Sequence, residues 1–207
     1  MDGVFMRNFL KAIFVCQILL CLIIVGLLHA DKQTLSNNVI RLHVVGNSNS
    51  VADQMVKLKV RDAVVAYLQE PLSDVQNAQD AKMMINSKLD DLELTVNKVL
   101  KDAGSEVNAT INLGKEEFDV RHYDTFSLPS GVYESLRVNI GEGNGKNWWC
   151  VVFPEFCIQA SAKDMRAEAV SSGFSTNLTR TLVDPDYKIS FFLLDCIGKL
   201  ENLFYFR

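Results

Sequence analysis

Residues 38–46 read NVIRLHVVG, and residues 47–54 continue NSNSVADQ. The first stretch is rich in β-branched residues and alternates from Val39, which predicts a strand ending at Gly46 and Asn47. In the second, Ser50 and Asp53 have the spacing of a capping box. The Ser50 hydroxyl accepts from the amide of Asp53 and the Asp53 carboxylate reaches back, so a helix starts there. Val56, Val60, Val64, Tyr67 and Leu68, with Ala63, fall on one face at helical spacing, and Pro71 predicts an end near Gln69. A strand feeding straight into an amphipathic helix is the seed of a mixed α and β domain.

This helix carries two further patterns. Asp53, Lys57 and Arg61 follow one another at i, i+4, the acid-before-base order of a solvated face. Val51, Leu58 and Val65 project opposite the main apolar stripe, so the helix is either sandwiched in the core or keeps a docking patch.

Working outward toward the C-terminus, residues 77–103 predict one long helix, with Ala81, Ile85, Leu89, Leu92, Val96 and Leu100 in a stripe and Gly104 placed to end it. Alternation then takes over. Val107, Ala109, Ile111 and Leu113 face one way in a half-buried strand. A turn at residues 114–117 leads to a second strand at residues 118–122, and residues 132–140 form a third. After the glycine loop GEGNGK at residues 141–146 comes the apolar WWCVVFPEFC, residues 148–157. Residues 160–186 are weakly patterned, and residues 189–206 have the spacing of a terminal helix that packs back on the sheet. The fold class expected is α+β: an N-terminal membrane segment, then a single two-layer domain of about four strands, two central helices and a C-terminal helix.

Working outward toward the N-terminus, Arg7 and Lys11 precede AIFVCQILLCLIIVGLL at residues 12–28, with only Gln17 interrupting the apolar side chains. A basic flank before an apolar run is the pattern of export, and the positive-inside rule carries everything after it across the membrane. The run lies between the length of a signal-peptide core and that of a spanning helix. Leu28-His29-Ala30 offers a small residue only at its last position, so cleaved signal and retained anchor both stand. The organisation expected is a signal peptide or anchor at 1–30, a polar tether at 31–38, a core at 39–157, and a variable segment with the C-terminal helix at 158–207. With 21 Lys+Arg against 25 Asp+Glu among 207 residues, the chain has no electrostatic footprint for nucleic acid or anionic lipid.

No constellation of catalysis is marked out. GEGNGK lacks the first glycine of a phosphate-binding loop, because Ile140 stands there, and Asn147 replaces the Ser or Thr that would bind magnesium. His29, His43 and His122 are too scattered for metal-ligand spacing, so neither a metal nor a cofactor is expected, nor a small-molecule substrate. Outside the apolar run, Cys150 and Cys157 flank a short stretch with Pro154 and are a candidate disulfide in an oxidising compartment; free buried thiols are the alternative. Trp148 and Trp149 are adjacent, so on a strand only one indole enters the core and the other is an exposed anchor, unless both are partly covered by residues 160–186.

Residues 40–68 and 131–157 together resemble the stage II sporulation protein R family. The motifs that carry the resemblance are His43, Asn47-Ser48, Asp53-Gln54, Lys57-Leu58-Lys59-Val60-Arg61-Asp62 and Lys146-Asn147-Trp148-Trp149-Cys150. Gly46 stands where the family more often has Ala, and beyond Cys157 the likeness is carried mainly by the terminal helical segment. The resemblance implies a signal of endospore-forming bacteria, exported from the forespore into the space between the forespore and mother-cell membranes. There it would activate a membrane-embedded aspartic protease of the mother cell, which removes the pro-sequence of sigma-E. The protein itself would be a ligand and not an enzyme. A small secreted envelope hydrolase using a Cys or carboxylate nucleophile is the competing function. The partner-binding candidates are His43, Asn47, Asp53, Gln54, Lys57, Lys59, Arg61, Lys146, Asn147, Trp148 and Trp149.

Overall fold

A computed structural model describes residues 3–154 and 162–205. The chain begins with helix α1 (Gly3–Asn38), whose apolar part, from Phe5 to Val25, is exposed along its length. It runs into strand β1 (Ile40–Val45), every residue of which is buried. Residues 31–38 are not a free tether: they are the last two turns of α1, because Lys32 and Leu35 are buried against the domain and hold the helix to it.

Ser50 caps helix α2 (Val51–Leu72) by accepting from the amide of Asp53, as the spacing predicts. The Asp53 carboxylate does not reach back. It accepts instead from Asn47 and Ser48. The helix also continues past Pro71. Pro71 forfeits one helical N–H bond there, and the burial of Leu72 beyond it favours the extra turn. The long helix expected at 77–103 is two helices, α3 (Ala78–Ser87) and α4 (Leu89–Asp102), separated at Lys88, whose φ of −113° and ψ of 6° leave the helical region. Neither glycine nor proline marks the break. It lets α3 reach α1 and α2 while α4 lies across α2 and the next strand.

That strand, β2 (Ala109–Phe118), runs straight through the expected turn at 114–117. Phe118 is buried at its end and pairs with Gly131, which keeps the segment extended. A short hairpin of β3 (Arg121–His122) and β4 (Ser127–Leu128) leads to β5 (Gly131–Ile140) and then β6 (Asn147–Phe153). The weakly patterned region contains α5 (Ala162–Ser171) and α6 (Thr176–Val183). Helix α7 (Lys188–Tyr205) closes the chain.

The main sheet has the order β2-β5-β1-β6, with β1 parallel to β5 and the other two pairs antiparallel. Period-two alternation divides its two faces. Ile40, Leu42, Val44, Leu136 and Val138 meet α2, α3 and α4 in one core. The opposite face is covered too. There Val39, Phe118, Tyr133 and Val151 meet Leu35 of α1, Leu178 and Leu182 of α6 and Leu194 of α7. The α+β class, the four-stranded sheet and the helices at both ends agree with expectation. The expected two layers become three, because the terminal helices and the end of α1 form a layer of their own.

Candidate functional site

The partner-binding candidates gather at the end of β1 farthest from α1. There the loop after β1 and the loop between β5 and β6 lie against the start of α2. Asn47 Nδ2 and Ser48 Oγ donate to Asp53 Oδ2 at 3.1 and 2.5 Å. Gln54 Nε2 donates to the carbonyl of Ser48 at 2.7 Å. Lys57 Nζ donates to Gln54 Oε1 at 2.7 Å and to the carbonyl of Lys146 at 2.9 Å. The backbones close on each other as well: Gly145 N to Gly46 O is 2.7 Å and Asn144 N to Asn47 O is 3.1 Å. A Cβ on Gly145 would collide with the carbonyl oxygens of Ser48 and Gly46, so this approach requires glycine.

These bonds give Asn47, Asp53, Gln54 and Lys57 an internal role. They clamp two loops. The hydrogen bond from Ser48 is the main reason the Asp53 carboxyl is held below its ordinary value. Lys57 is buried, and its removal from water, with the charges of Lys146 and Arg61, pushes its ammonium down. The solvated ladder expected from Asp53, Lys57 and Arg61 does not form, since each takes a different partner.

Trp148 and Trp149 do take opposite faces of β6. Trp149 enters the second core. Its ring stacks on His43 with centroids 3.6 Å apart and meets the edge of Phe118 at 5.1 Å. Trp148 lies on the face that carries α2 and remains 36 % exposed, with the Arg61 guanidinium 4.4 Å above its ring. Asp62 Oδ1 accepts from Arg61 Nε and Nη2 at 2.8 and 2.6 Å, which fixes the guanidinium over the indole. Val51, Met55 and Leu58 are exposed on the same helix, whereas Val65 is partly buried against the core. The outward residues of the motif are thus Leu58, Lys59, Arg61, Trp148, and the exposed Lys146 and Asn147.

His43 is not outward. It is buried, with Nδ1 donating to Glu116 Oε1 at 2.8 Å. Arg137 Nη1 and Ser135 Oγ donate to the same carboxylate, each at 2.8 Å. Burial alone would raise the Glu116 carboxyl, but the His43 hydrogen bond and charge, with Ser135 and Arg137, hold it below its ordinary value. Beside it Arg41, fully buried, sits 3.9 Å from the Phe118 ring centroid and donates to Tyr123 at 3.2 Å. Glu116 was hidden in the sequence by the turn expected there; the alternation that ends in Phe118 was the available signal.

Cys150 is disulfide-bonded, while Cys16, Cys21 and Cys196 are free. Cys157, its candidate partner, lies outside the described residues. Cys150 packs against the α2 side of the sheet, and His43 faces the other side, so the two do not form a nucleophile and base. Among the described residues no group of three or more His, Cys, Asp or Glu is placed to hold a metal.

The model of the family described as stage II sporulation protein R matches residues 36–163. The chain belongs to that family. Its relatives include the stage II sporulation protein R of Bacillus subtilis (strain 168), 29 % identical over 158 residues, which are 71 % of this chain and 70 % of the relative. No solved structure matches. The family's match begins at residue 36, inside the last turns of α1, and takes in both clamped loops, Arg61 and Trp148. The apolar helix ahead of it is compatible with a signal peptide or a membrane anchor.

Proposed function

We propose that this sporulation protein is an exported signal. It crosses the forespore membrane and activates a membrane-embedded aspartic protease of the mother cell, which then processes the sigma-E precursor. The observation that carries the reading is the division of labour within the motif. Asn47, Ser48, Asp53, Gln54 and Lys57 are consumed in clamping the two loops, and the motif presents outward an aromatic and basic edge that includes Arg61, Trp148 and Leu58. Trp and Arg are the side chains over-represented among residues that dominate protein interfaces. The edge lies at the opposite end of β1 from the apolar helix, as suits a ligand that leaves one membrane and meets a protein in another.

The test is to co-express the full chain with the protease and the sigma precursor in a host that has neither. Processing should require this chain and should be lost when the apolar run of α1 is replaced so that the protein stays in the cytoplasm. Equal processing without the chain, or with the cytoplasmic form, would sink the reading.

A further inference from the structure

Helix α7 is amphipathic in an unusual sense, because its apolar stripe points away from the domain. Ile189, Phe192, Leu193, Leu200, Leu203 and Phe204 are all exposed, from 38 to 78 %. At 3.6 residues per turn they fall in one stripe about 120° wide. The residues that face the domain are on the other side of the helix: Leu194, Asp195 and Gly198 are buried. Gly198 lies so close to the carbonyl of Ser130 that a Cβ would not fit, and Asp195 accepts from the amide of Ser130 at 2.8 Å. The orientation is therefore enforced by backbone contact, and the helix cannot roll to bury its stripe.

The C-terminal end of the stripe adjoins the exposed apolar part of α1 at Val25. Near its C-terminal end α7 packs along α1, where Glu201 accepts from the buried Lys32 at 3.1 Å. Leu200 and Phe204 line one cleft with Val25 and His29. Val25 lies three residues inside the end of the apolar run at Leu28, a depth of about 4.5 Å along the helix axis. An amphipathic helix in a bilayer interface buries its apolar face about 5–10 Å, so the end of α7 beside Val25 stands just short of the shallow limit of that range.

We propose, on the reading that α1 is retained as a membrane anchor, that α7 lies in the interface of the bilayer α1 enters, with its outward stripe among the acyl chains. The occupant of the stripe is lipid. The exposed Lys188 lies beside the stripe, where its ammonium group would reach lipid phosphates, whereas Lys199 on the same side is paired with Asp195 at 2.8 Å.

The test uses the full chain in vesicles of phosphatidylethanolamine and phosphatidylglycerol. In a background carrying Cys16→Ser, Cys21→Ser and Cys196→Ser, an environment-sensitive fluorophore is attached at Leu193→Cys or Leu203→Cys, with Leu94→Cys as the control. Leu94 is 70 % exposed on α4, on the other side of the sheet. A nitroxide on the lipid headgroup should quench the labels at 193 and 203 several-fold more than the label at 94, whatever the protein density in the vesicle. Aqueous iodide should show the reverse order. Three results would overturn the proposal: equal quenching at all three positions, protection from iodide that appears only at high protein density, as a second copy would give, and protection that requires an added protein.

Discussion

The Arg61 guanidinium lies 4.4 Å from the centroid of the Trp148 ring and is held there by Asp62. An exposed cation–π pair contributes only about 0.5–1 kcal/mol to stability. Arg61→Ala should therefore leave the urea midpoint almost unchanged, and Trp148→Ala, which removes a ring only 36 % exposed, should cost about 1–2 kcal/mol, while each reduces sigma-precursor processing at least tenfold in the co-expression assay. Trp149→Ala should do the opposite in proportion, costing about 3 kcal/mol because its ring packs against the second core and stacks on His43. Wild-type processing by a stably folded Trp148→Ala protein would remove this edge from the interface.

Gly145→Ala should open the loop clamp. The added methyl meets backbone carbonyls that have no room to move, at a cost of about 1–3 kcal/mol. Hydrogen exchange should accelerate at the amides of Asn144 and Gly145, which bond across the two loops. Exchange in α4, remote from the clamp, should keep its rate.

Glu116 sets an acid limit. Its folded carboxyl titrates below its unfolded value, so the stabilisation is complete above the ordinary value of 4.5 and is lost as pH falls through the lower folded value. The contribution of this residue to stability, followed by urea unfolding, should be flat at neutral pH and should decline in the acid range. Glu116→Gln should lower the neutral-pH stability by about 1–2 kcal/mol, a figure reduced for the exposure of Arg137, and should make the acid decline shallower.

Gly198→Ala should push α7 off the backbone of Ser130 and lower the thermal midpoint, a strain of about 1–3 kcal/mol or more. Gly26→Ala is the matched control, since nothing lies within 4 Å of the position a Cβ would take. It should be neutral for the folded domain.

Peptide mapping without reductant should recover Cys150 linked to Cys157. Cys150→Ser should cost about 2 kcal/mol, in the range of a native disulfide. Recovery of Cys157 as a free thiol would instead assign Cys150 another partner.

Much of the fold was legible because local patterns and tertiary burial agreed. Ser50 caps α2 where the spacing placed it, and β5 keeps the alternation of Leu136, Val138 and Ile140. The failures share a cause. The break at Lys88, the continuation of β2 through Gly114 and the helical state of residues 31–38 are each decided by a distant partner: α1 for α3, β5 for β2, and the buried Lys32 and Leu35 for the end of α1. The site divides likewise. Opposite faces for Trp148 and Trp149 follow from strand geometry alone, whereas the bonds by which Lys57 and Asn47 close the clamp reach a loop 89 and 95 residues away.

The docking of the last turns of α1 has a consequence for distance. A polar tether would let the domain sample a volume; a helix fused to the sheet leaves it almost none. From Leu28 to the far end of β1 the chain can extend no more than about 40 Å, counting the rise of helix and strand. Whatever meets the Trp148 edge while α1 is intact has to come within that radius of the apolar run. While α1 is intact, the reach of that edge is set by the fold and not by diffusion.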